Sequence, residues 1–220
     1  MSRRLAIFDC DGTLVDGQAN ICVAMETAFA QGGRIAPGRA QIRRAVGLSL
    51  DRAMHHLLPE ADAAEHAVLA EHYREAYQAL RSAGAIHEPL FEGIAALIED
   101  LAREGWLLGV ATGKSDRGLA HCLAVHGIAD RFVTLQTADR HPSKPHPAMI
   151  EAALDEAGVA NSDATMIGDT SFDMTMARSA GVRALGVSWG YHEPAELTEA
   201  GASAVADTAA ELGALLRGAR

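Results

Sequence analysis

Phe8-Asp9-Cys10-Asp11-Gly12-Thr13-Leu14-Val15-Asp16, following directly on Leu5-Ala6-Ile7, decides the reading of this chain. A short apolar run bounded by turn residues fits a buried strand from Leu5 to Phe8, with two carboxylates two residues apart at its end. On an extended backbone alternate side chains share a face, so Asp9 and Asp11 would look into one crevice if the strand persisted through them. One carboxylate there can attack while the other moves a proton. Gly12 then lets the chain turn. Cys10 points to the opposite face, as a small buried residue rather than a nucleophile.

Outward from this motif the pattern changes twice. From Asp16 to Glu88 it is helical, with apolar residues three and four apart in Ile21-Cys22-Met25-Phe29 and again in Val68-Leu69-Tyr73-Tyr77-Leu80. After Pro89 strands and helices alternate. Helices are expected at Ile94–Arg103, at Asp116–Val125, after Pro147 and from Ser171. Strands are expected at 107–111, 132–136, 164–167 and 184–187, with a closing strand and helix after Gly201. Such alternation predicts right-handed crossovers and an α/β fold with a mainly parallel sheet covered on both faces. Residues 1–15 and 89–220 then form the core, and 16–88 is an all-helical insertion. Asp9, Thr112 and Asp169 each fall at the carboxyl end of a strand, where open parallel sheets collect ligands.

Asp9-Cys10-Asp11-Gly12-Thr13-Leu14 resembles the opening motif of the haloacid dehalogenase-like superfamily, particularly its aspartate-nucleophile phosphatases. Three further stretches resemble its later motifs in family order: Thr112-Gly113-Lys114, Lys144-Pro145, and Gly168-Asp169-Thr170-Ser171-Phe172-Asp173. The resemblance implies a Rossmann-like, doubly wound core with a helical cap inserted just after the first motif. The helical insertion and Gly186-Val187-Ser188-Trp189-Gly190-Tyr191 look most like the phosphoglycolate phosphatases, with Trp189 and Tyr191 packing the base of the site.

In that reading Asp9 attacks phosphorus and forms an aspartyl-phosphate, while Asp11 is general acid and then base. A phosphoryl group beside two bare carboxylates is repelled unless cations and donors offset the charge. The resemblance supplies them as magnesium, Lys144 and Thr112, with the Gly113 amide as a helper. The implied metal ligands are Asp9, the main-chain carbonyl of Asp11, and Asp169, with Asp173 beside them. Such oxygen donors suit a small hard cation. Taken alone, Asp169 and Asp173 read as acidic residues near a helix start, and Lys144 as a solvated loop charge; the first motif reverses the former reading, and the place of Lys144 between the second and fourth motifs reverses the latter. Gly109 to Ser115 is not a P-loop, because three residues separate its glycines where that loop has four. In the insertion, Arg43 near Gly47 is a candidate contact for an anionic substrate tail.

Composition bounds the alternatives. The 220 residues are 49% apolar but only 5% aromatic, which predicts an aliphatic core. A net charge of -10 argues against nucleic-acid and membrane-surface partners. Cys10, Cys22 and Cys122 have no disulfide-framework or metal-ligand spacing. With too few apolar residues before Asp9 for a secretory leader, a cytoplasmic protein is expected. The expected partner is a small phosphorylated substrate, and oligomeric state is left open. The rival activities are a sugar-phosphate mutase or pyrophosphatase on the same fold, and a phospho-accepting signalling domain. A dehalogenase is disfavoured because it leaves Asp11 and Asp169 without work.

Overall fold

The computed structural model describes residues 3–218. Its six strands are β1 (Leu5–Phe8), β2 (Leu107–Thr112), β3 (Thr134–Thr137), β4 (Ala164–Gly168), β5 (Arg183–Val187) and β6 (Ala204–Ala206). They form one sheet in the order β3-β2-β1-β4-β5-β6, and every pairing is parallel. The first strand is therefore central, with Phe8 in register with Val110 on one side and Ile167 on the other. That register brings the carboxyl ends of β1, β2 and β4 to one edge.

Both faces of the sheet are covered, as parallel strands require. Ala6, Phe8, Leu108 and Val110 pack with helices α5 (Ile94–Arg103), α6 (Asp116–Val125) and α10 (Ala209–Arg217). Leu5, Ile7 and Met166 pack on the opposite face with α7 (Ala148–Ala157), α8 (Ser171–Ser179) and α9 (Pro194–Ala200). The split of alternate residues in β1 between two cores follows from the period of two. Each fully buried side chain of this size contributes roughly 1.5–3 kcal/mol, which holds the motif-bearing strand rigid.

Four helices lie between β1 and Pro89, ahead of α5 and the rest of the sheet: α1 (Gln18–Gln31), α2 (Arg39–Arg44), α3 (Leu50–Leu57) and α4 (Ala63–Ser82). They enclose their own apolar cluster, including Ile21, Met25, Phe29, Ile42, Met54 and Leu69. The block rests on the sheet edge through polar contacts. Arg44 pairs with Glu196 at 2.5 Å, and the Ser49 amide donates to Ser143 Oγ at 2.8 Å.

Two elements differ from the sequence reading. The third strand begins at Thr134 rather than 132, because a 3-10 turn at Ala129–Arg131 delays the extended chain. Helix α9 was not expected, although Pro194 in its first turn and a Glu193/Glu196 capping box are start signals legible in the sequence.

Candidate active site

The four motif regions meet at the carboxyl edge of the sheet. Asp9 follows β1, and its amide donates to the Ile167 carbonyl at 2.9 Å, so the strand ladder continues one residue into the motif. Gly12 turns the chain at φ +88°, close against Asp169 and Tyr191. Asp169 follows β4, and Asp173 lies in the first turn of α8. Lys144 comes from the loop before α7. Asp9, Asp169, Asp173 and Lys144 are all buried, the last only 1% exposed.

Carboxylate oxygens of Asp9, Asp169 and Asp173 lie within 4.8 Å of one another. Two of the three carboxylates are tied down. Asp169 accepts Thr13 Oγ1 at 2.8 Å on one oxygen and the Tyr191 amide at 3.0 Å on the other. Asp173 accepts Lys144 Nζ at 2.6 Å, while its second oxygen takes the Thr170 hydroxyl and amide. Asp9 differs. Lys144 Nζ stands 2.8 Å from its Oδ1 as an ion pair but outside hydrogen-bond alignment, so neither Asp9 oxygen has a hydrogen-bond partner among the described residues.

The electrostatics follow from this crowding. Burial pushes the Asp9 carboxyl up from 3.8 to about 7, with Asp173 adding to the rise and Lys144 opposing it. Burial, Asp9 and Asp173 likewise hold Asp169 well above the usual carboxylate range. Burial disfavours a charged Lys144, but Asp173 and Asp9 outweigh it and raise its pKa. Lys144 pairs with two of the three buried carboxylates, Asp9 and Asp173, and Asp9 Oδ2 is left with neither an ion pair nor a hydrogen bond among the described residues. That donor set fits a hard cation, which Asp9 and Asp169 could hold through their carboxylates.

Asp11 is held separately. Both its oxygens accept Lys114 Nζ, at 2.7 and 3.0 Å, and the same ammonium donates to Glu88 Oε1 at 2.9 Å. Glu88 in turn accepts the Tyr77 hydroxyl of α4 at 2.5 Å. Burial raises the Asp11 pKa, Lys114 opposes it, and Glu88 adds to it. Sequence reasoning took Lys114 only as a motif neighbour and did not find Glu88, Tyr77 or Thr13. The one available signal was Lys114 two residues beyond Thr112; Glu88 and Tyr77 arrive only by folding.

Thr112 ends β2, is 1% exposed, and its oxygen accepts the Lys114 amide at 3.2 Å. Gly113 has the Gly47 and Leu48 carbonyls so close that a Cβ would come within 2.5 Å of the latter. The 43–49 stretch thus touches the site through its backbone. Arg43 does not: its guanidinium donates to Gln18 Oε1 at 3.2 Å, and it is not part of the cavity wall. Asp9, Asp11, Thr112 and Gly113 open into that cavity, of about 440 Å³, between the sheet edge and the helical block. Trp189 donates from Nε1 to the Thr13 carbonyl at 3.2 Å and packs against Phe91, buttressing the motif from below. Cys10 is fully buried, with its sulfur 3.9 Å from that of Cys122.

A family model described as haloacid dehalogenase-like hydrolase matches residues 6–187. The chain belongs to that family and is a hydrolytic enzyme, as the ordered motifs imply. It is 35% identical over 216 residues to a protein of Dickeya dadantii named probable phosphatase IndB, covering 94% of this chain and 91% of that one. It is also 30% identical over 198 residues to a phosphoglycolate phosphatase of Xylella fastidiosa, covering 89% and 85%. Among solved structures, a haloacid dehalogenase-like hydrolase of Streptococcus pneumoniae superposes with a TM-score of 0.84 at 27% identity, covering 97% and 98%. Among the described residues, no helix is long and apolar enough to cross a membrane.

Proposed function

We propose that this enzyme is a magnesium-dependent phosphomonoester hydrolase, laid out like the phosphoglycolate phosphatases, with residues 16–88 acting as a cap over a core of 1–15 and 89–220. The observation that carries the reading is the Asp9 carboxylate, buried and without a hydrogen bond, beside Lys144 and opening into the cavity. A buried carboxylate with one oxygen left unpartnered is costly, and it suits a group that bonds to phosphorus and to a cation in turn.

Asp9, Asp169 and the main-chain carbonyl of Asp11 would hold magnesium, with Asp173 beside them. When bound, the ion offsets the charge of the carboxylates and of the phosphoryl oxygens. Lys144 neutralises the same region from the protein side, and the Thr112 hydroxyl donates to a phosphoryl oxygen. Asp9 attacks phosphorus as the bond to the alcohol oxygen breaks, forming an aspartyl-phosphate. Asp11 protonates the departing oxygen, then takes a proton from the water that hydrolyses the acyl phosphate. Its pKa, raised by burial against the pull of Lys114, moves in the direction a group that gives and regains a proton needs. The helical block excludes bulk water during transfer.

The test is magnesium-dependent phosphate release from a panel of phosphomonoesters and pyrophosphate, with Asp9→Asn as the blank. Turnover in wild type, lost in the variant and with chelator, is expected. Silence across the panel, or an active Asp9→Asn protein, would overturn the reading.

A further inference from the structure

We propose that Glu88, in the linker between α4 and α5, is a positioning residue for Asp11 and acts on it through Lys114. This role presupposes the hydrolase reading above and concerns only how the proton-transferring carboxylate is held. Glu88 is not among the residues that line the cavity, whereas Asp11 and Lys114 are, so it reaches the reaction only through the ammonium.

An ammonium has three protons to donate. Those of Lys114 meet Asp11 Oδ1 at 2.7 Å, Asp11 Oδ2 at 3.0 Å and Glu88 Oε1 at 2.9 Å, so its donors are matched one to one. Two contacts on one carboxylate set the plane of Asp11 as well as its distance, and the third fixes the ammonium that makes them. Without Glu88 the end of a flexible four-carbon stem is held by Asp11 alone, and the pair can shift together. The side chains of Lys114, Asp11 and Glu88 are only 9%, 11% and 6% exposed, so water has little access to replace a lost acceptor.

Glu88 is itself fixed from several sides. His126 Nε2, just past α6, donates to its main-chain carbonyl at 2.7 Å. On either side of it, Asn20 Nδ2 donates to the His87 carbonyl at 2.7 Å and the Asp16 amide to the Pro89 carbonyl at 2.9 Å. The Tyr77 hydroxyl donates at 2.5 Å to the same Oε1 that Lys114 uses, which aims that oxygen. Gly17 closes the cluster, since a Cβ there would lie 2.9 Å from Asp11 Oδ1 and 3.1 Å from Glu88 Oε1.

The test compares kcat/KM of the magnesium-loaded wild type with Glu88→Met, which keeps the volume but has no oxygen, and Glu88→Gln, which keeps an acceptor at Oε1. Thermal melts report folding. On the fastest alkyl phosphate of the panel above, Glu88→Met is expected to lose about tenfold or more, because the departing oxygen then meets a misplaced proton donor. On 4-nitrophenyl phosphate, whose departing oxygen needs no proton, it is expected to stay within about threefold of wild type, and Glu88→Gln within about threefold on both esters. Equal losses of Glu88→Met on the two esters, no loss on either, or a Glu88→Gln as slow as Glu88→Met would overturn the assignment and leave the hydrolase standing. Should Glu88→Met not fold, Glu88→Asp decides: it draws the acceptor back by one methylene, and an alkyl-ester loss no larger than its aryl-ester loss would overturn the assignment equally. Silence of wild type on every ester would instead overturn the hydrolase reading.

Discussion

Replacing Asp9 by asparagine should abolish turnover yet relieve the metal-free protein of a pH-dependent strain. Asp9 is fully buried, and its carboxyl is pushed from 3.8 to about 7. Because the raised pKa belongs to an acid, the folded state binds more protons than the unfolded one between those two values. Stability from this group is therefore greatest at low pH and is lost as pH rises to the folded pKa. Full ionisation of Asp9 costs about 4 kcal/mol, of which about 3 kcal/mol falls between about pH 5 and about pH 8. Asparagine has the same shape and cannot ionise, so that segment of the pH dependence should vanish. The assay is urea unfolding of wild type and Asp9→Asn with excess chelator at both pH values. The stability difference between variant and wild type is expected to shift by about 3 kcal/mol in favour of the variant on going to the higher pH. A difference that stays constant would refute the desolvated-carboxylate argument. Magnesium should stabilise wild type more at the higher pH, because protons no longer compete for the ligand.

Lys114→Met leaves Asp11 and Glu88 without their shared ammonium, and should cost about 3 kcal/mol at neutral pH and less as the pH falls and the two carboxyls take up protons. Steady-state kinetics should show a larger loss for alkyl phosphates than for 4-nitrophenyl phosphate, whose departing oxygen needs no proton; equal losses would count against Lys114 acting through Asp11. Gly12→Ala places a Cβ against the Asp169 carboxylate and 2.7 Å from the Tyr191 ring, at φ +88°. Unfolding measurements should register roughly 2–3 kcal/mol of destabilisation, and phosphate release should fall with it; an unperturbed variant would mean that the turn is looser than its geometry.

The alternation after Pro89, the helical stretch before it and the four motif regions are written in local periodicity and short spacings, and these made the parallel sheet and the strand-end positions of Asp9 and Asp169 legible, while their meeting within 4.8 Å belongs to the tertiary structure. A hydrophobic period fixes which face of a strand is buried, and a strand end fixes where a polar residue emerges, whatever the rest of the chain does. Helix α9 was equally local, and its proline and glutamate start signals were there to read. The surroundings of Asp11 were not. Lys114, which holds Asp11, also reaches Glu88, and Glu88 takes the Tyr77 hydroxyl, only because α4 and the following linker fold back over the sheet edge. Arg43 shows the converse: its position near Gly47 suggested a substrate contact, yet the turn of α2 directs it to Gln18. Sequence alone thus determined the fold class and the set of charged groups at the strand ends. Tertiary packing decided which carboxylate is paired, which keeps an unpartnered oxygen and what holds Asp11 in place, because those depend on contacts between segments far apart in the chain.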